Sequence, residues 1–160
     1  MTTVSIPESK DQSSRLKRTI FEPVRFGDEC AFLQLTPRVG IKIFPTRFSA
    51  HYAMLRQIKA YTKRIAPRVL SDIQICPITS EIFRQDKNLL FQHGTCGYFY
   101  RTQVARIRYL AYYKRYVNIV HKMRKSLNEL GMYSEDLHED NIGKIGKRWV
   151  IIDFGLLSVI

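Results

Sequence analysis

Acidic residues are scarce in this chain of 160: 14 Asp and Glu stand against 26 Lys and Arg, a formal net charge of +12. Between Cys30 and Ser71 there is no acidic residue at all. Such a balance favours anionic partners (nucleotides, nucleic acid, acidic proteins or a membrane surface) and leaves the fold open. Cysteine is equally thin. Cys30, Cys76 and Cys96 are odd in number, far apart and form no C-x-x-C pair, which argues against a disulfide framework or a zinc set and for a reducing compartment. No apolar run approaches the length of a membrane span. The stretch from Met1 to Arg18 lacks the apolar segment of a secretory signal and reads as a mobile polar tail. Eight glycines are present, none in a G-x-G-x-x-G pattern. Apolar residues, by contrast, make up 45% of the chain and aromatics 12%, enough for one real core and too much for global disorder.

From Thr19 to Phe44 the chain reads as interrupted strands, the best of them Val39–Phe44. Alternation there puts Ile41 and Ile43 on one face and Gly40, Lys42 and Phe44 on the other. Ser49 to about Arg64 reads as a helix with Tyr52, Leu55, Ile58 and Tyr61 as its apolar stripe, ended by the Ala66-Pro67 step. Strands are expected over Val69–Ile78, Leu89–Gln92 and Gly97–Thr102. Leu110, Tyr113, Val117, Val120, Met123, Leu127 and Leu130 recur at helical steps, predicting one long helix over about 106–130 with Gly131 as its stop. Beyond it, Ile142-Gly143-Lys144 and Trp149–Ile152 flank Ile145-Gly146-Lys147, the pattern of a hairpin.

That hairpin has a chemical consequence. Asn141 precedes its first strand and Asp153 follows its second, so the chain reversal sets an amide oxygen beside a carboxylate. These are hard oxygen ligands suited to Mg²⁺. Asp136 lies five residues earlier, in the loop leading in. Lys42 projects from another strand, with Gly40 on the same face. A lysine beside a metal site is what holding a polyphosphate requires, and a carboxylate nearby can orient an attacking hydroxyl.

With these residues in view the chain resembles the protein kinase-like superfamily. Asp136-Leu137-His138-Glu139-Asp140-Asn141 is similar to the catalytic loop D-x-x-x-x-N, Asp153-Phe154-Gly155 to the D-F-G motif, and Gly40-Ile41-Lys42 to the A-x-K strand. The resemblance runs from about Thr19 to Gly155. It implies an α+β, kinase-like fold: a flexible tail over 1–18, an antiparallel-sheet N-lobe with one helix and a hinge over 19–105, and a truncated helical C-lobe carrying the catalytic hairpin over 106–160. It further implies ATP and Mg²⁺ as cofactors. Lys42 would contact phosphates, Gly40 would lie against adenine, and Gln103, Val104 and Ala105 would form the adenine-binding hinge. Asp136 would be the catalytic base, with Asn141 and Asp153 as metal ligands. His138, where protein kinases usually carry Lys, is similar to aminoglycoside-kinase-like and other atypical kinases.

The sequence also departs from that family. Only Gly27 stands where a glycine-rich phosphate loop is expected. The helix after Lys42 lacks the Glu that normally pairs with the lysine, leaving His51 or Gln57 as candidates for the facing position. Ser134-Glu135 replaces the usual His-Arg, and the activation segment and substrate platform are absent after Gly155. The resemblance therefore implies a minimal or atypical phosphotransferase acting on a protein rather than on a small molecule, with a nucleotide-binding pseudokinase as the alternative. A third reading takes the basic helix, with Arg106, Arg108, Lys114, Arg115, Lys122, Arg124 and Lys125 among tyrosines, as a nucleic-acid surface. A solvated helix face is the plainer account of those charges. The apolar tail Leu156–Ile160 needs cover, which a second copy of the chain could supply. Similar compact proteins occur in phages and as bacterial effectors, implying a host protein as partner and a cytoplasmic location, the host's if the chain is viral.

Overall fold

Val39–Phe44 is the strand the alternation predicts, and in the computed structural model a sheet is built around it. The structure describes residues 25–26, 30–77, 96–107, 116–133, 137–154 and 158–159. Strands β1 (Arg25–Phe26), β2 (Ala31–Gln34), β3 (Val39–Phe44), β4 (Gln74–Pro77) and β5 (Cys96–Gln103) form an antiparallel sheet in the order β1-β2-β3-β5-β4. In this register Lys42 lies opposite Phe32 on one side and Tyr100 on the other. Because β3 is an inner strand covered on both faces, Lys42 is only 6% exposed. The fold is α+β.

Helix α1 (Arg47–Thr62) follows β3 directly, and Pro45 and Thr46 make its start. The Thr46 hydroxyl accepts from the Ser49 N–H at 3.1 Å, an N-cap that satisfies one of the helix's open donors. The helix stops at Thr62, ahead of the Ala66-Pro67 step, where Arg64 takes a left-handed conformation at φ 58°. Its inner face corrects the expected stripe. Tyr52, Leu55, Ile58 and Tyr61 are 38–47% exposed, whereas Ala50, Ala53, Met54, Gln57 and Ala60 are buried. Uniform steps of three drift off any one helical face. Steps of three and four hold it, and those pass through the small residues that let α1 approach the sheet closely.

Gln57 lies on that inner face with no exposure. Its Nε2 donates to the Pro67 carbonyl at 3.0 Å and to Thr102 Oγ1 at 2.7 Å, while its Oε1 accepts from the Tyr100 hydroxyl at 3.0 Å. The side chain thus ties α1 to β5 and to the segment after the helix. Burial pushes the Tyr100 phenol well above its usual range, and Cys30 and Asp153 nearby add to the effect, so it remains a donor. Gln57→Leu keeps the volume but takes the Gln57 partner from the buried Pro67 carbonyl and from the Tyr100 hydroxyl. An unsatisfied buried polar group costs about 1–3 kcal/mol, so a loss near the top of that range is expected. At roughly 2–4 °C per kcal/mol the melting temperature should fall visibly, and an unchanged melt would contradict the network.

The remaining elements are β6 (Arg106–Ile107), α2 (Tyr116–Asn128), β7 (Met132–Tyr133), a 3₁₀ turn (Glu139–Asn141), β8 (Ile142–Ile145), β9 (Arg148–Ile151) and β10 (Ser158–Val159). The long helix expected over about 106–130 is thus corrected. Arg106–Ile107 is extended and pairs with Lys144 and Gly143, and helix begins among the described residues only at Tyr116. Its apolar side is real where Met123 and Leu127 are buried, but Val117 is exposed. Gly131 ends this region at φ +65°, a conformation that favours glycine. The hairpin β8–β9 turns at Gly146 (φ +60°) with Ile145 opposite Arg148. One core joins the two parts of the chain: Ala60 of α1, and Ile65 and Ala66 after it, pack with Met123, Leu127, Met132, Leu137, Ile142, Ile151 and Phe154. The Ile151 N–H donates to the Ile65 carbonyl at 2.7 Å across the same junction. Ser158–Val159 pairs with Met132–Tyr133 of its own chain, so part of the tail expected to need a partner finds one within the chain. The 1–18 tail, Leu89–Gln92, and Arg108, Leu110, Tyr113, Lys114 and Arg115 lie outside the described residues.

Candidate functional site

Lys42 reaches out of β3 to a residue 110 positions later. Its Nζ donates to the Ile152 carbonyl at 2.5 Å, and the same nitrogen lies 5.7 Å from the centre of the Phe154 ring. Asp153 sits between these two residues, half-buried. The long inner strand and the short hairpin therefore bring the lysine and the Asp153 segment together, as the sequence argument requires of a polyphosphate site. The partner expected on α1 is different. The Gln57 amide is committed to Pro67, Thr102 and Tyr100, and His51 is exposed, so neither takes the facing position. A backbone carbonyl serves Lys42 instead.

Asn141 closes the 3₁₀ turn just before β8, at the same open end of the hairpin as Asp153. Its carbonyl accepts from the Ile152 N–H at 2.8 Å, which extends the β8–β9 ladder by one pair and sets Asp153 one residue beyond Asn141's partner. The side chain of Asn141 lies 3.1 Å from His138 Nε2, and His138 Nδ1 accepts from the Asp140 N–H at 3.2 Å. It is the amide nitrogen Nδ2 of Asn141 that meets the His138 ring. His138 thereby orients the amide whose oxygen is the candidate ligand. Leu137 anchors the loop in the core, and Arg124 of α2 donates to its carbonyl at 3.2 Å. Asp136 and Gly155 lie outside the described residues.

The expected adenine surface has one feature the sequence did not reveal. A methyl group at Gly40 would come within 2.5 Å of the Phe32 ring, so that ring covers the glycine from the neighbouring strand. A base lying against Gly40 has to share its place with Phe32. At the strand end, the Gln103 N–H donates to the Arg68 carbonyl at 2.9 Å and the Val104 N–H to the Arg38 carbonyl at 3.0 Å. Two of the three expected hinge amides are therefore committed within the chain.

No family profile matches this chain, and no curated protein matches it. Among solved structures, the crystal structure of WbdD is similar to it with a TM-score of 0.48 and 13% sequence identity, covering 88% of this chain and 33% of that one. The chain spans about a third of the length of WbdD.

As for metal, no group of three or more His, Cys, Asp and Glu side chains converges among the described residues. The donor set of Asn141 and Asp153 nonetheless fits Mg²⁺, which is characteristically held by one or two protein oxygens together with phosphates and water. Like Phe32, Arg56 is a side chain that sequence reasoning missed. Its Nη1 donates to the Phe154 carbonyl at 3.2 Å, and its guanidinium carbon lies 4.0 Å from the centre of the Tyr52 ring. The only signal for it was negative, the lack of any acid on α1.

Proposed function

We propose that this chain is a minimal, kinase-like phosphotransferase that uses Mg-ATP and modifies a protein. The observation that carries the reading is the Lys42–Ile152 bond, which joins the lysine of β3 to the segment holding Asp153. The strand order β1-β2-β3-β5-β4, with one helix after β3, supports the N-lobe that the resemblance implies. In this reading Lys42 moves from the Ile152 carbonyl to the phosphates, and Asn141 and Asp153 offer their oxygens to the cation. Asp136 orients the acceptor hydroxyl. Gly40, Phe32 and the Gln103–Ala105 strand end receive the base. When bound, Mg-ATP supplies the phosphoryl group and the positive charge that neutralises its oxygens. The proposed setting is the cytoplasm, the host's if the chain is viral, with a host protein as substrate. Among the described residues no helix is long and apolar enough to cross a membrane.

The pseudokinase reading has one observation in its favour: Gln57 is occupied elsewhere and α1 carries no carboxylate to hold Lys42 in a phosphate-facing pose. ATP should raise the melting temperature more with Mg²⁺ than with EDTA. A ligand at a hundred times its dissociation constant contributes about 2.7 kcal/mol. No shift at millimolar Mg-ATP would sink both readings. A shift without transfer of labelled phosphate, to itself or to any lysate protein, would leave the pseudokinase.

A further inference from the structure

We infer that Arg56 is a positioning residue for Asp153, holding the Asp153 segment in place when Lys42 leaves it for the phosphates. The inference rests on the nucleotide-site reading above. Among the described residues, three hydrogen bonds help hold the segment. The Ile152 N–H is held by the Asn141 carbonyl, the Ile152 carbonyl by Lys42 and the Phe154 carbonyl by Arg56. The Phe154 ring is 1% exposed in the core. Asp153 is therefore suspended between two carbonyls, each bound by a cation from a different element, one on β3 and one on α1.

These two cations are not equivalent. Lys42 is the one assigned to phosphate, and in this reading its three N–H donors are drawn from the Ile152 carbonyl to the polyphosphate oxygens. Once it departs, Arg56 is the remaining side chain of this pair. The Arg56 guanidinium is suited to staying. It is planar, its face rests on Tyr52 one helical turn earlier, and it grips a backbone oxygen. It also gives α1 a link to the site that needs no Lys–Glu pair. A helix without acidic residues can still report its position to Asp153, through the Phe154 carbonyl.

The test uses Arg56→Met and Arg56→Lys in the full chain, with two readouts. The first is amide hydrogen exchange at Ile152–Phe154 without nucleotide. The second is the Mg²⁺ concentration giving half of the ATP-induced rise in melting temperature. A hydrogen bond to a charged group corresponds to roughly tenfold or more in an equilibrium, so Arg56→Met should speed exchange at these amides and raise the Mg²⁺ requirement by about that factor. Stabilisation by ATP in EDTA should not change, and Arg56→Lys should restore most of both effects. Wild-type exchange together with a wild-type Mg²⁺ requirement in Arg56→Met would overturn the inference. Failure of the underlying reading looks different: the wild-type protein itself would show no Mg-ATP effect. Faster exchange confined to Ile152–Phe154 would then still establish the Arg56 tether, while its link to the nucleotide fell.

Discussion

Lys42→Met should lower phosphate transfer by roughly a hundredfold, since a charged hydrogen bond contributes about 1.5–3 kcal/mol and each 1.4 kcal/mol is a factor of ten. Methionine is the informative choice because it keeps an apolar stem. Lys42 is 6% exposed and its nitrogen lies over the Phe154 ring, so truncation to alanine would remove packing as well as charge. In the apo protein the Met variant loses one bond to the Ile152 carbonyl, and a modest fall in melting temperature is expected. In the presence of Mg-ATP the loss should be larger, because phosphate charge is then left unbalanced beside a buried position. The measurement is the initial rate of label transfer beside the Mg-ATP-induced melting shift. Full transfer by Lys42→Met would mean that the lysine is only a pin between β3 and the hairpin.

The elements that carry these residues were legible in the sequence because they are local. Val39–Phe44 declares itself by alternation and by Pro45 after it, and the β8–β9 hairpin by two apolar runs about a glycine that takes positive φ. Register then follows from the turn, and it is register that places Asn141 across from Ile152. What the sequence concealed depends on tertiary packing. The aromatic stripe of α1 looked like a core face because it is the more apolar one. The sheet instead accepted the face with small side chains, since only that face lets Gln57 reach Tyr100, Thr102 and Pro67. The helical period over about 106–130 was read through Arg106–Ile107, which strand pairing with β8 claims. Arg56 was invisible for a related reason. Its partner is a carbonyl 98 residues away, and backbone groups leave no trace in sequence.

Asp153→Asn and Asp136→Asn should separate binding from chemistry. Asp153 follows the hairpin strand that Asn141 and Lys42 hold, so its carboxylate is assigned to the cation. Replacing it with an amide removes a full negative charge from a site that has few, and both Mg-ATP affinity and transfer should fall by roughly a hundredfold or more. Asp136 is assigned to the acceptor hydroxyl, a contact strengthened near the transition state. Its replacement should leave affinity within about threefold and lower turnover alone, on the order of the hundredfold or more that general base catalysis contributes. The most direct measurement of the central claim is calorimetric titration of Mg-ATP into the wild-type protein and these two variants. The account predicts matching affinities for wild type and Asp136→Asn and a collapse for Asp153→Asn. Equal affinity in wild type and Asp153→Asn, or no binding by the wild type, would contradict it.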